Sequence, residues 1–271
     1  MKLMLPLLYR ECTKQKWLLS GPLFLAVVLG IFFFLASTQG QLANNVTLTM
    51  NYSGDFDLTN LGHGASPESV AISFAGMLSL TLSFLYLAKA LLTATRLEQE
   101  DPKMAVRLHL FKLLFAFIII PLSCLPLLGV MHYLFWQLAA FVGNIEPVSL
   151  FQQTVFMFGH YMERMFLAGL LALPIGLLVL CVSQRTSAPL ILLLVLAYAI
   201  KWLSPMLLGT EWFSRYVSLV MSAPSDVISG SSVTHALAEF GAVYGSLYVL
   251  MGAIAAWLSV RRLQFKEQCA V

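Results

Sequence analysis

The sequence predicts an all-α membrane protein with six transmembrane helices. Three observations lead there. Of the 271 residues, 59% are hydrophobic and only 11% are charged, whereas a soluble domain carries about 25% charged residues. Six stretches approach or exceed the roughly 20 apolar residues that cross a bilayer as a helix. Lys and Arg gather in alternate connectors, the asymmetry that orients a membrane protein. No connector is long enough for an independent soluble domain, so residues 1–271 read as a single transmembrane domain.

The chain opens with Lys2 to Trp17, where Leu3, Met4, Leu5, Leu7, Leu8 and Tyr9 mix with Arg10, Glu11, Lys14 and Lys16. That mixture suits a helix lying in a headgroup plane, so residues 1–17 are expected as a cytoplasmic interfacial helix. The first span follows at about Leu18–Ser37. It is too long and too poorly terminated for a cleaved leader and reads as a retained helix. Residues 38–69 form an outer loop without Lys or Arg but with Asp55, Asp57 and Glu68. Its two Asn-x-Ser/Thr matches, at Asn45 and Asn51, are taken as chance.

The second span runs from about Val70 to Thr93. Residues 95–112 then form the most charged stretch. Asp101 before Pro102 reads as an N-cap and first helical residue, since a carboxylate accepts free backbone N–H groups and proline sacrifices no needed donor there. A helix should therefore begin at Pro102 and lead into the third span, about Leu110–Val142. Pro121 and Pro126 should kink it.

The fourth span is expected at about Met165–Val182, with a start that is open to extension upstream and with Pro174 and Gly176 inside it. The fifth is expected at about Ala188–Leu208 and the sixth at about Phe240–Val260. Between the last two, residues 209–239 form an outer region. Glu211–Met221 is amphipathic and too short to cross, whereas Pro224–Thr234, rich in Ser, Gly and Pro, reads as a loop.

With the amino terminus inside, all but Arg164, Lys201 and Arg215 of the 16 Lys and Arg residues fall on the cytoplasmic side. An even number of spans returns the carboxyl terminus to that side. Cys12, Cys124, Cys181 and Cys269 avoid the outer loops, so no disulfide framework is expected.

Chemistry is sparse. Zinc-protease, nucleophile-elbow and phosphate-loop patterns are missing, so the chain is expected neither to be an enzyme nor to hold a catalytic residue, a metal or a cofactor. The five histidines are scattered. His160, Glu163 and Arg164 form a polar cluster at the expected outer mouth. They would steer an anion or bind a metal there, or simply hydrate a helix end, and the plainer reading is favoured. Lys89 and Lys201 lie within spans close to an interface, and snorkelling explains them without a function.

The ordered features resemble the permease subunit of ABC-2 type transporters over nearly the whole chain. Leu8-Tyr9-Arg10-Glu11-Cys12 with Lys14 and Lys16 is similar to that family's amphipathic elbow helix. Thr95 to Lys112, with Arg96, Glu98, Glu100 and Asp101, sits where the family has a charged helix touching its ATPase. Glu211 to Thr234 is similar to its partly re-entrant outer helix before the last span, and Arg261-Arg262-Leu263 to its basic tail. The stretch Arg96-Leu97-Glu98-Gln99-Glu100-Asp101-Pro102 lacks the glycine common there.

The resemblance implies an ATP-driven exporter of the bacterial cytoplasmic (inner) membrane, with both termini cytoplasmic. Two permease chains, identical or different, would form the path through the lipid. Cytoplasmic ATPase subunits would hold the ATP and Mg. Arg10, Glu11, Arg96, Glu98, Glu100, Asp101 and Arg107 would couple to those subunits. No nucleic acid is expected as a partner. The alternatives are a haem-exporter-like permease of cytochrome c maturation, and a non-transporting membrane scaffold or immunity protein.

Overall fold

A computed structural model describes residues 4–38, 67–90, 102–142, 150–184, 186, 188–209, 211–230 and 233–268. Among these, every regular element is helical. We number them α1 (Met4–Lys14), α2 (Lys16–Thr38), α3 (Pro67–Ala90), α4 (Pro102–Leu114), α5 (Ile120–Ser123), α6 (Leu125–Val142), α7 (Leu150–Ser183), α8 (Pro189–Leu208), α9 (Trp212–Ser229) and α10 (Val233–Gln268). A π-helical turn, Phe115–Ile119, joins α4 to α5.

Six helical stretches are long and apolar enough to cross a membrane: Lys16–Leu35, Glu68–Lys89, Val106–Phe135, Gln152–Ser183, Pro189–Met206 and Gly241–Ser259. Each falls on one of the six expected spans, so the chain is built as a multi-pass membrane protein. In lipid, a helix is the element that satisfies its own backbone polar groups, which is why apolar runs of this length fold this way.

The chain divides into two compact units, Met1–Ala75 with Ser123–Tyr161, and Gly76–Leu122 with Met162–Val271. In the first, α1 passes into α2 through Gln15 alone. The Gln15 N–H still donates to Glu11 O at 2.9 Å, and Gln15 O accepts from Leu18 and Leu19. Helix α2 packs along α6. Its buried positions, Pro22 and Ala26, lie one turn apart, while Phe24, Ile31, Phe32 and Phe34 stay exposed. Such exposure is ordinary for a surface whose solvent is lipid.

In the second unit, helices approach closely over small residues, the packing that substitutes for a hydrophobic drive inside a bilayer. Phe117 presses on Gly169 and Gly176, where an added Cβ would sit 3.2 Å from its atoms in each case. Gly252 rides on the Pro174 ring, and Gly76 receives Ile228. Helix α9 lays Val220 and Ala223 against Tyr248, whose hydroxyl donates to Leu171 O.

Pro121 does disturb its helix, by a specific route. In the π turn the Ile120 N–H donates to Phe115 O. The next bond in that register would run from residue 121 to Ala116 O, and proline has no N–H to give. The Ser83 hydroxyl fills the gap, 2.6 Å from Ala116 O. It also lies 2.9 Å from Ser79 O on its own helix, and the shorter contact goes to the carbonyl that lost its donor. A second break falls at Cys124, two residues before Pro126.

One expectation needs correction, and two helices run beyond the spans expected of them. The fourth span's helix extends upstream to Leu150, on the side left open. Polar residues such as Gln152, Gln153 and Thr154 do not stop a helix whose backbone bonds are internal. Pro224–Ser229 is not loop: α9 continues through Pro224 and ends at Gly230, whose φ of 112° is a left-handed cap of the kind that glycine supplies. The sixth span falls at Gly241–Ser259, as expected, and its helix runs on to Gln268, with a backbone break at Gly241, φ 60°. Pro174 lies within α7.

Candidate functional site

Helix α4 begins at Pro102, as the Asp101-Pro102 pair predicts. Asp101 itself, with Arg96, Glu98 and Glu100, lies outside the described residues. What α4 carries next is a buried polar cluster. His109 is buried, and its Nε2 lies 2.6 Å from Ser259 Oγ on α10. Gln184, just past the end of α7, donates through Nε2 to the same Oγ at 2.8 Å and to Ser259 O at 3.1 Å. The Ser259 hydroxyl thus accepts from Gln184 and shares a second hydrogen bond with His109 Nε2.

One turn further, Lys112 is buried with its ammonium 5.6 Å from the centre of the Tyr86 ring on α3. Tyr86 packs on Phe115 with centroids 4.8 Å apart, and Phe111 continues the row at 6.3 Å. The second half of α4 is therefore joined to α10 through Ser259, which also holds Gln184 at the end of α7, and to α3 by an aromatic row holding a cation. Buried polar groups cost free energy unless paired, so this cluster prescribes one register among its helices.

Comparison with known protein families, curated proteins and solved structures finds no match. The site is accordingly read from its own geometry.

The other residues singled out in the sequence separate. Arg107 and Arg10 are exposed, whereas Glu11, on α1, is buried. His160 and Glu163 are exposed on α7, but Arg164 is half-buried and turns to α9. Its Nη1 donates to Ile228 O at 3.2 Å. A guanidinium at the last carbonyls of a helix meets the negative end of the helix dipole. Arg164 thus ties α7 to α9. Among the described residues, no group of three His, Cys, Asp or Glu side chains could hold a metal.

Sequence reasoning missed the cluster that matters most. His109 was one of five scattered histidines, Lys112 a topological charge, and Gln184 and Ser259 went unremarked. One signal was available: a His and a Lys three residues apart inside an otherwise apolar run belong on one face, and such residues in a span are functional candidates.

Proposed function

We propose that this chain is the membrane-spanning permease subunit of an ATP-driven exporter of the ABC-2 type. The observation that carries the reading is the tie of His109 to Ser259 and Gln184. It joins the helix leaving the charged connector to two of the spans, which is what a permease driven from outside the membrane requires. The direct passage of amphipathic α1 into α2 through Gln15 supports an elbow helix. The amphipathic α9 between the fifth and sixth spans supports an outer, partly re-entrant helix.

In this reading both termini and the 95–112 region face the cytoplasm of a bacterial inner membrane, in agreement with the distribution of Lys and Arg. Two permease chains line the path. Separate ATPase subunits bind below, against residues among Arg10, Glu11, Arg96, Glu98, Glu100, Asp101 and Arg107. ATP and Mg belong to those subunits, and this chain is not itself an enzyme. Closure of the ATPases pushes α4, and the polar cluster passes the push to α7 and α10. Coupling demands that the two access states differ in their ATPase contacts.

The test is purification of the tagged chain from its native membrane. An ATP-hydrolysing subunit should accompany the wild type, and joint Glu98→Lys and Glu100→Lys exchange should weaken that association. A chain recovered alone from native membranes, or one indifferent to the charge reversal, would count against the reading.

A further inference from the structure

Lys201 sits on α8 about two turns before its end at Leu208. This helix is poorly covered by protein: Ile191 is 66% exposed, Val195 61% and Met206 82%. Its packing partner is α9. Between the two helices lies a cavity of about 70 Å³ lined by Ala197, Tyr198, Lys201, Val217, Ser218 and Met221. Among the described residues, Lys201 has neither a carboxylate partner nor a hydrogen bond.

Snorkelling alone accounts for a lysine near an interface, but it does not account for a cavity lined by the lysine together with Tyr198 and Ser218. An ammonium only donates, and the Tyr198 and Ser218 hydroxyls are free to donate as well. A cation of this kind in a span is costly unless it finds a negative partner. The donor set therefore matches an oxyanion. One water needs about 10–15 Å³ of such space, so a cavity of about 70 Å³ has room for a headgroup-sized oxyanion. Because α8 faces lipid, that group arrives from within the bilayer. Trp202, 72% exposed beside Lys201, is the residue type that settles at headgroup depth.

We infer that Lys201, with Tyr198 and Ser218, binds the phosphate of an anionic phospholipid between α8 and α9. The site requires the membrane spans but no ATPase partner, so it stands or falls apart from the transport reading.

The experiment titrates the purified full chain, in neutral detergent, with phosphatidylglycerol or phosphatidylcholine and counts bound lipid by native mass spectrometry. The wild type and Lys201→Arg should retain phosphatidylglycerol in preference to phosphatidylcholine. Lys201→Gln should lower that preference about fivefold, the value of one interfacial lysine. Lys89→Gln, which removes an exposed lysine from another span, should leave it unchanged. Ser218→Ala should lower it by a smaller factor, and this variant decides the matter if Lys201→Gln does not accumulate. Excess inorganic phosphate should not displace the lipid. Retention unaltered in Lys201→Gln and Ser218→Ala, an equal loss in Lys89→Gln, or displacement by inorganic phosphate would overturn the assignment.

Discussion

His109 and Ser259 lie 150 residues apart in the chain and meet at 2.6 Å in the interior of the second unit. Both side chains are buried, and Gln184 still reaches Ser259 when His109 is removed, so each single change costs one buried hydrogen bond, about 0.5–1.5 kcal/mol. His109→Ala and Ser259→Ala should each lower the thermal stability of the purified chain. The double variant should cost less than their sum, with a coupling of about 0.6–1.7 kcal/mol by the scale of membrane hydrogen bonds. Additive losses would show that the pair does not interact.

Glycine-to-alanine exchange should separate two kinds of close packing. A Cβ on Gly76 would lie 2.5 Å from Ile228 Cγ2. Gly76→Ala should therefore destabilise by about 1–3 kcal/mol, and Ile228→Ala, which removes that methyl, should offset much of it. A Cβ on Gly252 would lie 2.9 Å from Pro174 Cβ and 3.1 Å from its Cα. Pro174→Ala keeps both atoms, so it should not rescue Gly252→Ala. Thermal unfolding of the four single and two double variants decides this.

Cys12 should be a slow thiol. Burial pushes its pKa above the ordinary thiol value, and the neighbouring Glu11 carboxylate pushes the same way. Both disfavour the thiolate, which is the reacting form. Maleimide labelling at neutral pH should lag behind an unperturbed cysteine and accelerate as pH rises. Glu11→Gln removes the negative charge and should speed labelling at a fixed pH. A rate at or above that of an ordinary thiol would contradict this assignment.

Arg164 should hold the end of α9. Arg164→Met removes the donor at 3.2 Å from Ile228 O. Amide exchange around residues 222–230 should rise about tenfold, the equivalent of about 1.4 kcal/mol. Gly230→Ala should open the same segment, because φ of 112° strains any residue with a Cβ. Exchange unchanged in both variants would mean that α9 is held by its apolar face alone.

The six spans were legible because lipid solvation acts on composition, and composition survives without knowledge of contacts. The start of α4 at Pro102 was legible for a local reason, the chemistry of a helix N-terminus. Other features were not. Pro224 read as a loop residue, yet its helix continues and Gly230 makes the stop. The π turn before Pro121 depends on Ser83, a residue from another helix that supplies the missing donor. The polar cluster was the least legible of all: Gln184 and His109 reach Ser259 across 75 and 150 residues of chain, and each alone looks like an incidental polar residue beside an apolar run.

The contact of His109 with Ser259 should hold α4 and α10 as one body. Spin labels at Val106 on α4 and Ile254 on α10, both exposed positions, measure it directly by pulsed dipolar distance spectroscopy. A single narrow distance distribution is expected in the wild-type chain, broadening in Ser259→Ala and His109→Ala. A distribution as narrow in those variants as in the wild type would contradict the account.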